Sequence, residues 1–174
     1  MTAIRFIYCP ICATPLVEKH IYAAHRLVCP ACNYIHFLEP KVVTVVVLQY
    51  EGKFLLGRRN IDPAKGMWSF FSGYMERGEK VEEAAIREVK EETNLEVQLE
   101  QLIGIYSERG NPHVVIAYRA SVHNNDIGAL TAQLDEVSEL AFFALEKIPP
   151  LAFPTDQQIL HDLQRLQPSQ SYVK

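Results

Sequence analysis

The spacing of apolar residues changes several times along the chain, and each change marks an element. Residues 42–50 are almost all apolar and mostly β-branched, which predicts a buried strand. Glu51-Gly52-Lys53 reads as a hairpin turn, with residues 54–58 as the returning strand. Residues 60–66 contain Asp62-Pro63 and Gly66 and read as a loop. A further strand is predicted at 67–71, then a loop rich in glycine and charge at 73–79. In residues 81–92 the period lengthens: Val81, Ala84, Ala85 and Val89 recur at helical spacing and predict one core-facing stripe. Asn94 stands just past this helix, where left-handed backbone is wanted and Asn is the usual substitute for Gly. Strands follow at 95–106, 114–122 and 140–144. Ile148-Pro149-Pro150 interrupts the chain, and Thr155 is placed to cap a final helix running to about residue 167.

The first forty residues follow a different pattern. Cys9 and Cys12 form one C-x-x-C pair and Cys29 and Cys32 a second, with 16 residues between the pairs. His20-Ile21-Tyr22 and Arg26-Leu27-Val28 alternate like short strands. Two such pairs predict a tetrahedral zinc site, because each short turn delivers two thiolates from one side. Four protein ligands leave no open position, so the zinc is expected to be structural. Disulfides or core cysteines are the competing reading, and a zinc ribbon also suggests a nucleic-acid or protein-docking module. His20, His25 and His36 are read as surface or packing residues. Pro40 marks a junction, giving a ribbon at residues 1–38 and a larger domain at 39–174.

The chemistry is concentrated in residues 73–95. Gly73 is followed by five residues and Glu79; seven more lead to Arg87-Glu88-Val89-Lys90-Glu91-Glu92. On a helix Glu88, Glu91 and Glu92 share a face. Like charges so close repel. A solvated acidic face would explain a charge run, but not the glycine lead-in, the embedded arginine and the apolar opposite face together. Clustered carboxylates suit hard divalent cations, Mg²⁺ or Mn²⁺, which orient water and neutralise phosphate charge. Arg87 keeps its proton and is expected to hold the glutamates in place, with Glu79 as its partner.

This segment resembles the Nudix box of hydrolases that split nucleoside diphosphates linked to another moiety. Asn94, where the family usually has Gly, is its one departure. Residues 9 to about 155 resemble the zinc-ribbon branch of that superfamily. Glu39-Pro40-Lys41-Val42-Val43, Gly66-Met67-Trp68, Gly73-Tyr74-Met75-Glu76 and Leu151-Ala152-Phe153 are most similar to its FAD and ADP-ribose pyrophosphatases. Phe71 stands where many relatives have Pro. The resemblance implies an α+β fold: an α/β/α sandwich around a mixed sheet, preceded by the ribbon. It implies metal-dependent hydrolysis of ADP-ribose or FAD to two monophosphates, with NADH, a ligand-sensing role or RNA-end hydrolysis as alternatives. It also implies a metal-ligating Ser72 carbonyl, a later glutamate completing the site (Glu136 or Glu139), and a twofold homodimer. Trp68 and Phe71 either stack on a base or fill the core; Arg58 and Arg59 either contact the diphosphate or lie on the surface.

Composition narrows the partners. Hydrophobic residues at 48% and charged residues at 22% exclude a disordered chain. A net charge of -4, and near balance over residues 1–40, give no electrostatic reason to expect nucleic acid or an acidic membrane. The apolar run at 42–48 is too short to span a bilayer. Residues 1–10 lack a basic start and a long apolar core, so no secretory signal is expected and the cytoplasm is the expected location.

Overall fold

The computed structural model describes residues 6–166, in two compact units, Met1–Glu39 and Pro40–Lys174. The first unit is built on two equivalent turns. Cys9 N–H donates to Thr14 O and Ala13 N–H to Cys9 O; twenty residues on, Cys29 N–H donates to Tyr34 O and Asn33 N–H to Cys29 O. Ala13 and Asn33 take positive φ, 57° and 61°, which turns each chain end back. Strands β1 (Val17–Ile21), β2 (Ala24–Val28) and β3 (Ile35–His36) form an antiparallel sheet in that order. All four cysteines are free thiols whose sulfurs lie within 4.8 Å of one another. Adjacent Sγ atoms are 3.4–3.6 Å apart, far beyond a disulfide bond of about 2.05 Å. They are close to the edge of about 3.8 Å that a tetrahedron of Zn–S bonds requires. No histidine enters this group: His25 pairs with Glu18 and carries His20 edge-on, and His36 meets Tyr34 and Phe6.

The second unit is a mixed sheet between two helices. Its central strand β4 (Lys41–Tyr50) pairs in parallel with β9 (His113–Val122) and antiparallel with β5 (Lys53–Arg59). β10 (Val137–Phe143) and β8 (Val97–Ser107) flank them, giving the order β10-β5-β4-β9-β8. Consecutive residues of β4 supply opposite faces. Val46 and Leu48 meet Ala85 and Val89 of helix α1 (Val81–Thr93), whereas Val45 and Val47 meet Ile159 and Leu163 of α2 (Pro154–Leu166). A strand covered on both faces has no polar alternation, which explains the unbroken apolar run at its centre.

Three elements depart from the sequence expectation. The strand expected at 67–71 is two short strands, β6 (Trp68–Ser69) on β5 and β7 (Phe71–Tyr74) on β4. The chain changes partner at Phe70, whose ring enters one core layer while Phe71 enters the other. Gly73 therefore lies in a strand opposite Thr44, not in a loop. Finally, α2 begins at Pro154, so Thr155 lies inside its first turn rather than capping it; proline suits the first helical position because its missing N–H has no partner there anyway. The expected end near residue 167 lies outside the described residues. Asn94 does take the left-handed conformation, φ 60°, and its N–H closes α1 on Lys90 O at 2.9 Å. Among the described residues no helix is long and apolar enough to cross a membrane.

Candidate active site

The site forms where β7 runs under α1. The helix starts with Glu83 accepting the Lys80 N–H at 3.0 Å. Ala84, Ala85 and Val89 dock it on the sheet, and this brings Glu88 and Glu92, one turn apart, down against β7. Each is only 8% exposed. Arg87 on the flank organises the surrounding acids. Its Nε and Nη2 donate to the two oxygens of Glu79 at 2.8 and 3.0 Å. Nη1 donates to Glu88 at 2.7 Å and Glu91 at 3.1 Å, and Nη2 also reaches the Tyr74 carbonyl at 3.0 Å. These bonds hold the Glu79 carboxyl down to about 2.

The other side of the cluster is unbalanced. A Cβ placed on Gly73 would overlap the Glu88 carboxyl group, so only glycine lets that carboxylate lie on the strand. Burial, against the pull of Arg87, raises the Glu88 carboxyl. Burial first, and then the charges of Glu88 and Glu136, push Glu92 up to about 8; the Ser72 amide and Arg59 oppose this. Oε2 of Glu92 is buried with no hydrogen-bond partner. The glutamates are not gathered as closely as the four sulfurs, the one group among the described residues whose ligand atoms converge within 4.8 Å.

Comparison with known proteins places this geometry. The NUDIX domain family matches residues 38–163. The chain belongs to the Nudix family. It is 36% identical over 139 residues to an ADP-ribose pyrophosphatase of Methanocaldococcus jannaschii, covering 76% of this chain and 78% of that protein. It is 29% identical over 155 residues to the NAD-capped RNA hydrolase NudC of Stutzerimonas stutzeri, covering 87% of this chain but only 52% of that one. The chain thus spans about half the length of the NudC relative. A NUDIX hydrolase from Nitrosomonas europaea has the same fold, with TM-score 0.84 and 27% identity over 95% of this chain and 97% of that one.

Nudix hydrolases use divalent metals, and the residues present fit such ions. An orphaned buried carboxylate oxygen, and two buried glutamates whose charge the neighbouring acids make costlier, call for positive charge there. Of the sequence candidates, Arg87, Glu88, Glu91, Glu92, Ser72, Glu136 and Arg59 come together here. Glu139 and Arg58 do not: they face each other across β10 and β5 in an exposed pair at 3.4 Å, and Arg58 Nε donates to Gly66 O. Phe71 is not a stacking residue, because its ring is 1% exposed and closed inside the core. Trp68 is half-buried, with its ring edge-on to Phe143 at 4.9 Å. Sequence reading missed Asp156, buried in the first turn of α2; an Asp at a helix start looks like a cap, and nothing in its neighbours signals burial.

Gly73→Ala should push the Glu88 carboxylate off β7 while the sheet, tested by circular dichroism, persists. Displacing a charged group by an ångström in a Nudix site should lower kcat on the order of a hundredfold. A wild-type kcat in the folded variant would show that the close approach of Glu88 to β7 is irrelevant.

Proposed function

We propose that this Nudix hydrolase splits a nucleoside diphosphate linked to a second moiety into two monophosphates, with ADP-ribose as the first substrate. The observation that carries the reading is the buried pair Glu88 and Glu92, whose charge Glu136 makes costlier still, with an unpartnered Glu92 oxygen. Similarity to the Methanocaldococcus pyrophosphatase over most of both chains supports the substrate. Glu88, Glu91, Glu92 and the Ser72 carbonyl would hold Mg²⁺ or Mn²⁺, which when bound supply the positive charge that a diphosphate requires. Arg87 and Glu79 keep the carboxylates in position. Glu136, the later glutamate whose charge reaches Glu88 and Glu92, orients a water and takes its proton. Water adds to one phosphorus, the bridging P–O bond breaks, and ADP-ribose yields AMP and ribose 5-phosphate. The dimer implied by the resemblance and the cytoplasmic location expected from the sequence belong to this same reading.

A second substrate class stays in view. The charge balance argued against nucleic acid, but the NudC relatives remove that exclusion. In the ribbon, we propose that Cys9, Cys12, Cys29 and Cys32 hold one structural Zn²⁺, supported by their tetrahedral spacing.

Two measurements test these readings. The first assays ADP-ribose, FAD, NADH, diadenosine polyphosphates and NAD-capped RNA with Mg²⁺ and Mn²⁺, identifying products. ADP-ribose should give the highest kcat/KM. Glu136→Gln should lower kcat on the order of a hundredfold and Glu139→Gln leave it nearly unchanged; preference for capped RNA, or the reverse order of the two variants, would overturn the assignment. The second is elemental analysis of protein purified without added metal. It should find one zinc per chain, whereas two disulfides and no zinc would reject the ribbon site.

A further inference from the structure

The apolar run of β4 is broken once. Val42, Val43, Val45, Val46 and Val47 surround Thr44, which is fully buried. Its hydroxyl has no hydrogen-bond partner among the described residues. Valine has the same branched shape without the hydroxyl, and an unpaired buried hydroxyl costs free energy. Stability alone therefore favours valine here, as at the neighbouring positions.

Side chains alternate between the two faces of a strand. Val45 and Val47 enter the layer under α2 and Val46 the layer under α1, so Thr44 faces α1. In register it stands opposite Gly73 of β7 and beside Ile116 of β9, neither of which has a polar side chain. The place a Gly73 Cβ would take is filled by the Glu88 carboxyl group. Directly opposite residues of an antiparallel pair carry their Cβ atoms about 5 Å apart. The Glu88 carboxyl thus occupies the position of the cross-strand partner of Thr44. Among the described residues that carboxyl receives one hydrogen bond, from Arg87 to Oε1. A carboxylate can accept several. An unpaired donor on β4 and an under-supplied acceptor on α1 therefore share one face of the sheet.

We infer that Thr44 is a positioning residue for the reaction: its hydroxyl donates to the Glu88 carboxylate when that group is charged and holds a divalent cation. The inference rests on the reading of Glu88 as a metal ligand. Carboxylates that bind metals are themselves hydrogen-bonded, and losing such a partner weakens metal binding about tenfold to a hundredfold. Arg87 holds Glu88 from the flank of the helix, and Thr44 holds it from the strand beneath. Without the cation the hydroxyl stays unpaired, as it is here. Removing it then costs the metal-free fold nothing, while the metal-bound state loses a donor. A threonine that merely fills space behaves differently, because its replacement by valine leaves metal affinity where it was.

The test measures Mn²⁺ binding without substrate, from the electron paramagnetic resonance signal of free Mn²⁺, for the full chain as wild type, Thr44→Val and Thr44→Ser. Thr44→Val should weaken binding about tenfold or more, and Thr44→Ser, which keeps a hydroxyl, should bind within about threefold of wild type. In chelator Thr44→Val should unfold at the wild-type temperature or above it. In a Glu88→Gln background the substitution should cost no further affinity, and an undiminished loss there overturns the pairing with Glu88. Thr44→Val binding within about threefold of wild type overturns the inference. So does equal weakening in Thr44→Val and Thr44→Ser, since packing and not the hydroxyl is then responsible. Lower stability of Thr44→Val in chelator overturns it as well, because the hydroxyl is then paired without the metal. Should Thr44→Val fail to fold, Thr44→Ala against Thr44→Ser decides: weaker binding by the alanine variant alone supports the inference, and equal binding overturns it. A wild type that binds no Mn²⁺ removes the metal reading and this inference with it; a wild type and a Thr44→Val that bind alike remove the inference only.

Discussion

One guanidinium holds the site together. Arg87 donates to Glu79 from the loop, to Glu88 and Glu91 from its own helix, and to the Tyr74 carbonyl at the end of β7. It joins three stretches of chain that share no other polar contact of this density. The rest follows from it. The bidentate pair with Glu79 fixes the loop; the bond to Glu88 lays that carboxylate on Gly73; and Glu92, one turn on, faces Ser72 with one oxygen unpaired and only the charge of Arg59 to oppose its burial. Charge-assisted bonds in a half-buried setting are the strong ones, which is why one cation can hold several acids that repel each other.

That balance is incomplete by construction. Alanines and valine beside them on the same sheet-facing side seat α1, and the stability they supply lets Glu88 and Glu92 be buried at a cost. A helix selected for stability alone would carry neither carboxylate there. Local rules broken at one place and supported elsewhere are the mark of a functional site. The same pattern recurs in a smaller form at Asp156, where a buried acid caps α2 with one oxygen and leaves the other unpaired.

Much of this was legible in the chain itself. Buried strands and the amphipathic helix announce themselves through period, and Asn94 through its place after the last turn, because each depends on neighbours in sequence. The Gly73–Glu79–Arg87 spacing carried the site for the same reason. What stayed hidden depends on contacts distant in sequence. Residues 67–71 looked like one strand, since nothing local says that Phe70 and Phe71 enter opposite layers. Glu136 and Glu139 are indistinguishable until the register of β10 on β5 gives Glu139 to Arg58. Phe71 could have been a stacking surface until the helix closed over it, and Asp156 could have been an ordinary exposed cap.

The central claim is that divalent cations complete the charge balance at Glu92. Its carboxyl sits at about 8 in the folded chain against an ordinary 4.5. A carboxyl raised on folding contributes its stability in full below 4.5 and loses it as pH rises through 8, so at alkaline pH the metal-free protein pays for keeping it. Thermal unfolding at pH 8 of wild type and Glu92→Gln, in chelator and then in Mn²⁺, measures this directly. The account predicts that the variant unfolds at the higher temperature in chelator, and that Mn²⁺ raises the unfolding temperature of wild type much more than that of the variant. A wild type indifferent to Mn²⁺, or a variant that gains as much from it, would contradict the account.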